Sequence, residues 1–454
     1  MSPRKNRLRT FHIVSLGCPK NRVDAEVIWA EAAISGLTAV DDPALADVII
    51  VNTCGFIQSA VTESIDAILT LSQHKVQGRC QRLVVAGCLA GRYGKDLVEQ
   101  FPEVDLFLTP GEVAGVKAWL NPAPGASIRK SAAKARAFLP SASTPRVNSL
   151  SPGSAYLKVA EGCNRRCSFC IIPHIRGRQR SRTITDLVKD AKNLTRSGIR
   201  EVILVAQDLA SWGKDLPGNP TLDQLVRALA AVPSLAWLRL MYLFPQSVDG
   251  RLVRVLGDHP NVLPYLDIPI QHVNRAVLKG MRRSGDPATL ARLVRRLREE
   301  LPGLVLRTSL MTGFPGETEA AYQELRDFVQ ASRFERLGVF AFSPEEGTAA
   351  ARMPDQVPTR VAKARMRGIL LLQKKISLAF HRSLLGTTVS VIIEGKTGDG
   401  VYVGRTWNQA PEVDGVTYVL PLTHSGRARK LPIGQIVEVR VTQVQAYDLM
   451  AEPI

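Results

Sequence analysis

Three cysteines fall within eight residues in Cys163-Asn-Arg-Arg-Cys167-Ser-Phe-Cys170. Thiolates at this spacing can wrap one metal centre from a single loop. Four-iron clusters are normally held by four Cys thiolates, so three would leave one iron open to a substrate or cofactor. His174 follows Cys170 at an x3 spacing, and Cys163, Cys167, Cys170 and His174 also match a closed Cys₃His zinc site. Inert packing thiols are the third reading, and a triplet this dense argues against them. On these residues alone, iron and zinc both stand.

A second set is dispersed. Cys18, Cys54 and Cys88 occur in Leu16-Gly-Cys18, Val51-Asn-Thr-Cys54 and Ala86-Gly-Cys88, each directly after a short apolar run. The runs Phe11–Leu16, Val48–Val51 and Leu83–Ala86 read as buried strands, spaced by about one βαβ repeat each. In an open parallel sheet every strand exit lies at the carboxyl edge, where ligands bind. Three cysteines far apart in sequence would then meet at one rim, as a second three-ligand cluster site requires. The alternative is three small buried residues of a Rossmann-like core. Cys80 follows no strand and reads as core.

The elements that must position these residues divide the chain. At 454 residues it exceeds one hydrophobic core, so two or three domains are expected. Residues 9–121 read as a Rossmann-like α/β domain. Residues 122–153, rich in Ala, Ser and Pro, read as a linker. Residues 154–385 carry strand-like runs at Tyr156–Ala160, Val202–Ala206, Leu238–Leu243, Tyr265–Ile270, Val305–Met311 and Leu337–Phe342, with helical signals between them. Among those signals are the capping box Thr221-x-x-Gln224 and the Asp286-Pro287 helix start. Six strand–helix units imply a partial or complete β/α barrel, whose chemistry sits at the C-terminal strand ends. Gln207 and Asp208 leave the second strand there. Gly313-Phe314-Pro315-Gly316-Glu317 leaves the fifth, with glycines that permit close backbone approach to a ligand. His272 reads as a satisfied structural histidine. A basic helix from Thr359 to about Leu385, stopped by Gly386, reads as a packing helix with a solvated basic face. Residues 386–454 alternate like a small antiparallel β-barrel, with Asp414-Gly415 as a hairpin-turn signal.

The net charge of +18 suggests a polyanionic partner such as RNA or a ribosome. The excess lies upstream: from Gly386 onward six Lys/Arg face seven Asp/Glu. A C-terminal module that grips RNA would normally be basic. Seven cysteines with no export signal or membrane span point to thiolate chemistry or metals in the cytoplasm.

Taken together, these motifs resemble the radical S-adenosylmethionine (SAM) methylthiotransferase family. Cys163-x3-Cys167-x2-Cys170, with Phe169 before the last cysteine, is similar to the radical SAM signature. Ser-Leu-Gly-Cys18-Pro-Lys-Asn, Asn-Thr-Cys54-Gly-Phe and Ala-Gly-Cys88-Leu resemble the methylthiotransferase domain, and the C-terminal segment resembles a TRAM domain. Glu161-Gly-Cys-Asn and Arg405-x5-Pro411-Glu-Val-Asp-Gly415 resemble the RimO branch, which modifies an aspartate of small-subunit ribosomal protein twelve. A departure is Gln409-Ala410-Pro411, where many RimO sequences carry Asp-Ala-Pro. The resemblance implies two 4Fe–4S clusters, one on Cys163, Cys167 and Cys170 that cleaves SAM and an auxiliary one on Cys18, Cys54 and Cys88. It implies SAM contacts from Phe169, Gln207, Asp208, Gly313, Phe314, Pro315, Gly316 and Glu317. The expected partners are ribosomal protein twelve, free or within the assembling 30S subunit, and an electron donor such as flavodoxin or ferredoxin. No membrane and no tRNA partner is expected. The rival branch modifies a tRNA adenosine, and a zinc-stabilised RNA-binding protein is the distant alternative.

Overall fold

A computed structural model describes residues 8–116, 120, 137–421, 423–424, 427–428 and 430–454. The first part of the linker, residues 122–136, therefore lies outside the described residues. By its internal contacts the chain forms two compact units.

The first unit is built on five parallel strands: β1 (Thr10–Ser15), β2 (Thr38–Ala39), β3 (Val48–Thr53), β4 (Arg82–Gly87) and β5 (Leu106–Leu108). Their order in the sheet is β2-β1-β3-β4-β5. Every residue of β3 is buried, as expected of a strand covered on both faces. Side chains alternate faces along a strand, and the core divides accordingly. Ile49, Val51, Leu83 and Val85 pack in one cluster, and Val48, Ile50, Val84 and Ala86 in another. The helices α1 (Pro19–Ile34), α2 (Gln58–Ser72) and α3 (Cys88–Gln100) connect the strands. Residues 137–149 belong to this unit. They are not a free tether, because Arg146 pairs with the buried Glu26 at 3.5 Å and the Ser149 amide donates to Glu26 at 2.9 Å. The short helix α4 (Ile172–Arg176) is also part of it.

The second unit holds six parallel strands in sequential order: β6 (Ser154–Lys158), β7 (Glu201–Val205), β8 (Trp237–Leu240), β9 (Val262–Asp267), β10 (Val305–Thr312) and β11 (Arg336–Ala341). Helices α5 (Ile184–Arg196), α6 (Leu222–Ala230), α7 (Gly250–Asp258), α8 (Pro287–Glu300) and α9 (Glu319–Ser332) alternate with them. The sheet is a partial barrel, with β6 and β11 at its edges. Both capping signals are realised: Thr221 and Gln224 form a capping box, and Asp286 accepts from the Thr289 amide at 2.8 Å. The third strand stops at Leu240 rather than Leu243, since Tyr242 adopts a left-handed φ of 65°.

The helix α10 (Thr359–Leu384) buries Ala362, Arg365, Ile369, Gln373, Ile376, Ser377 and His381, and exposes Lys363, Arg367, Lys374 and Lys375. After it comes a closed barrel of β12 (Thr388–Lys396), β13 (Tyr402–Thr406), β14 (Thr417–Val419), β15 (Ile436–Val444) and β16 (Leu449–Pro453). It is antiparallel except for the β14–β16 pair. Asp414-Gly415 is not a two-residue hairpin. It belongs to the longer loop between Thr406 and Thr417, which packs against the six-stranded sheet. Tyr265 donates to Asp414 at 2.8 Å, Tyr156 donates to Glu412 at 2.9 Å, and Arg307 pairs with Asp414 at 3.7 Å. Among the described residues no helix is long and apolar enough to cross a membrane.

Candidate active site

In the first unit, Cys18 caps the N-terminus of α1 beyond β1, Cys54 directly follows β3, and Cys88 opens α3 after β4. The strands β1, β3 and β4 are neighbours in the sheet, so the three thiols share its carboxyl edge. Two glycines show how closely the exits converge. A Cβ on Gly17, whose φ is +91°, would sit 2.8 Å from Cys54 Cβ, and one on Gly55 would lie 2.9 Å from the Cys88 carbonyl carbon. Buried polar side chains fix the edge. Asn21 donates to the carbonyls of Leu16 and Thr53, Asn52 donates to that of Asn21, and the Ser64 hydroxyl both donates to and accepts from the Cys54 backbone. Cys80 precedes β4, at the opposite edge, and packs in the core.

Burial pushes the Cys54 thiol up to about 12, and the neighbouring Cys88 and Cys18 add to the rise. Burial raises Cys88 as well, opposed first by Arg176. A metal bound here would have to displace these protons, because the thiolate is the ligand. Among the described residues no three His, Cys, Asp or Glu side chains already close on a metal-sized point. The rim nonetheless suits an iron–sulfur cluster in its donor chemistry. It offers three sulfurs close enough to repel one another as thiolates, with a buried guanidinium against one of them.

That guanidinium is Arg176, which sequence reasoning missed. It donates to Cys88 Sγ at 3.1 and 3.3 Å, to Asp24 at 2.8 Å, to Glu161 at 2.9 Å and to Asn21 at 3.1 Å. The one available signal was a cation embedded in the apolar run Ile171-Ile-Pro-His-Ile-Arg176.

The three loop cysteines are each half-buried. The Cys163 amide donates to the Gly177 carbonyl at 3.1 Å, and the Arg165 amide donates to Cys163 Sγ at 3.4 Å. In the second unit Ser168 anchors the middle of the loop. Its hydroxyl donates to the Gly280 carbonyl at 2.7 Å, its amide to Met281 at 3.2 Å, and its carbonyl accepts from Ala350 at 2.9 Å. Sequence reasoning missed this residue too. His174, the fourth ligand of the zinc alternative, is exposed on α4.

The expected SAM contacts fare unevenly. Phe169 and Gln207 are half-buried at strand and loop exits, and Asp208 is buried and accepts from the Ser211 hydroxyl at 2.6 Å. In the Gly313–Glu317 turn, a Cβ on Gly313 would meet Ala362 on α10. Phe314 is fully buried and stacks edge-on against Phe342, and Pro315 is buried. The Glu317 carboxylate is engaged by the Gly313 amide, by Arg365 at 2.9 Å and by His272 at 3.2 Å. The side chains of Phe314 and Glu317 thus hold the turn, and only Gly316 is open. His272 is satisfied as read, its Nδ1 accepting from the Asn274 amide at 3.0 Å.

Comparison with known proteins agrees along the chain. Residues 10–109 match the family described as "Uncharacterized protein family UPF0004", residues 157–329 the radical SAM superfamily and residues 385–454 the TRAM domain. The ribosomal protein uS12 methylthiotransferase RimO of Anaeromyxobacter sp. (strain K) is 46% identical over 97% of this chain and 92% of its own length. The RimO of Geobacter sulfurreducens is 43% identical over 99% of both. This chain belongs to the RimO family of methylthiotransferases. Like that family it is a radical SAM enzyme. Its fold is also similar to a solved radical SAM methyltransferase, TsrM from Kitasatospora setae, with a TM-score of 0.54 at 16% identity, over 76% of this chain and 77% of that one. RimO membership sets aside the tRNA-modifying branch and the zinc-stabilised RNA-binding protein.

Proposed function

We infer that this enzyme adds a methylthio group to the β-carbon of an aspartate in small-subunit ribosomal protein twelve. The observation that carries the reading is near-full-length likeness to proteins named for that substrate. The substrate's β-hydrogen is not appreciably acidic, and general acid–base help of roughly 10²–10⁴-fold would not make that carbon reactive. The bound SAM and iron–sulfur clusters supply one-electron chemistry instead.

The chain's own residues hold and orient these groups. Cys163, Cys167 and Cys170 would carry one 4Fe–4S cluster, which would supply the electron that cleaves SAM. Ser168 ties that loop to Gly280, Met281 and Ala350. Cys18, Cys54 and Cys88 would carry the auxiliary cluster, which would supply the sulfur that is transferred. Phe169, Gln207, Asp208 and the Gly313–Glu317 turn are the candidate SAM contacts, with Gly316 the exposed residue of that turn. Residues 9–121 would form the auxiliary-cluster domain, 154–385 the radical domain and 386–454 the TRAM domain. An electron donor of the flavodoxin or ferredoxin class, and ribosomal protein twelve free or in the assembling 30S subunit, complete the reaction.

A competition tests this. Anaerobic enzyme with SAM, sulfide and reductant is given both small-subunit ribosomal protein and bulk tRNA, and mass spectrometry follows both. A methylthio group on a protein aspartate with unchanged tRNA is expected; the group on a tRNA adenosine overturns the substrate. Within that assay Cys163→Ala abolishes SAM cleavage, whereas Cys54→Ala keeps cleavage and loses sulfur insertion.

A further inference from the structure

Arg176 is the last residue of α4 and only 3% exposed, yet nothing in the proposed reaction uses it. A guanidinium has five N–H donors in a rigid planar fork, and here each has an acceptor. Nη1 reaches Asp24 and Glu161, Nη2 reaches Asn21 and Cys88 Sγ, and Nε reaches Cys88 Sγ again. Two of the five donors therefore end on one sulfur. A neutral thiol is a weak acceptor, a poor match for two donors of a buried cation. A thiolate bound to iron is a charged acceptor and a good match.

The geometry points to Arg176 as a positioning residue of the auxiliary cluster, whose two N–H···S bonds orient Cys88 as an iron ligand and raise the cluster's reduction potential. The inference rests on Cys18, Cys54 and Cys88 being that cluster's ligands. Hydrogen bonds to the sulfurs and local charge are among the protein's levers on cluster potential. N–H groups that draw charge from Cys88 Sγ favour the reduced, more negative cluster. Asp24 and Glu161 oppose this effect by partly neutralising the guanidinium, so the two kinds of partner pull the potential in opposite directions.

The test uses the full-length chain carrying Cys163→Ala, Cys167→Ala and Cys170→Ala, reconstituted anaerobically with iron and sulfide. Its potential and electron paramagnetic resonance spectrum are compared with those of the same chain also carrying Arg176→Met, Arg176→Lys or Glu161→Gln. Arg176→Met is expected to move the potential negative and change the spectrum. Arg176→Lys, which keeps the charge but not the fork, is expected to fall between. Glu161→Gln leaves both N–H···S bonds in place and is expected to move the potential positive. Arg176→Lys keeps a cation beside Asp24 and Glu161, so its shift decides the matter even if Arg176→Met fails to fold with those carboxylates left buried. Equal potentials at equal iron content overturn the inference and spare the cluster reading. A triple-cysteine variant that takes up no iron overturns both.

Discussion

Two arginines, one in each unit, are both almost wholly buried and serve different ends. Arg405 donates only to oxygens: Glu394 at 2.8 Å, Glu201 at 2.6 Å, Ser154 at 2.9 Å and the Gln409 carbonyl at 2.9 Å. Glu201 in turn accepts from Arg239 at 2.8 Å, and Arg239 stacks over Tyr265 with its guanidinium carbon 4.7 Å from the ring centroid. Arg176 also meets two carboxylates, but spends two donors on a sulfur at the rim. Arg405 and Glu201 tie the C-terminal barrel to the six-stranded sheet. Arg176 touches Cys88, a proposed ligand of the auxiliary cluster. Burial of a paired charge is therefore no guide to function by itself; what accepts the hydrogen bonds is.

The largest expected effect lies in the oxygen-only shell. Glu201→Ala leaves Arg239 and Arg405 buried without their shared carboxylate, and breaking such a pair costs about 3–5 kcal/mol. Denaturant unfolding should show that loss with the rim cluster's potential unchanged. A shifted potential would erase the contrast between the shells.

Next comes a pair of glycines. Gly17 and Gly36 have φ of +91° and +88°, but a Cβ on Gly36 meets nothing within 4 Å. Both alanine variants carry backbone strain of order 1–3 kcal/mol. Only Gly17→Ala should also lose auxiliary iron, because its Cβ displaces Cys54. Equal iron content in the two would mean that the rim is more pliable than its close contacts suggest.

Acid should weaken the Arg405 shell in a defined window. Burial pushes the Glu201 carboxyl up, but Arg405 and Arg239 outweigh it and pull it down to about 2 from its ordinary 4.5. Its contribution is whole above pH 4.5. Below that the unfolded chain takes the proton first, so the contribution shrinks and is gone near pH 2. The stability gap between the unaltered chain and Glu201→Gln should narrow over this range; a gap that widened in acid would contradict the pairing.

The smallest effect belongs to His381, whose Nδ1 lies 2.7 Å from the Gln445 carbonyl. Burial, then Arg336, lowers it from 6.5 to about 4. Between those values the unfolded chain binds a proton that the folded chain refuses, so stability falls as pH drops through the window. His381→Gln should flatten that slope, as read from unfolding midpoints at pH 7, 5.5 and 4.

Much of the site was legible because its markers are local. Apolar runs ending in Gly-Cys or Asn-Thr-Cys place Cys18, Cys54 and Cys88 at strand exits, and parallel strands necessarily share an edge. The capping box at Thr221 and the start at Asp286 also depend on neighbours three residues away. The packing at Gly313 was not legible, because the residue its missing Cβ would meet, Ala362, lies on α10, far along the chain.

By itself the sequence determined the strand exits that carry Cys18, Cys54 and Cys88, the two cysteine sets, the order of the folded segments and the family. These follow from periodicities and spacings of a few residues. Only the tertiary structure decided that Arg176 joins the Cys88 shell, that Ser168 anchors the loop and that residues 407–416 pack onto the six-stranded sheet. Arg176 meets Asp24 across 152 residues of chain, and Arg405 meets Glu201 across 204. A buried charge takes whichever partner the fold brings to it, and no local pattern records which one that will be.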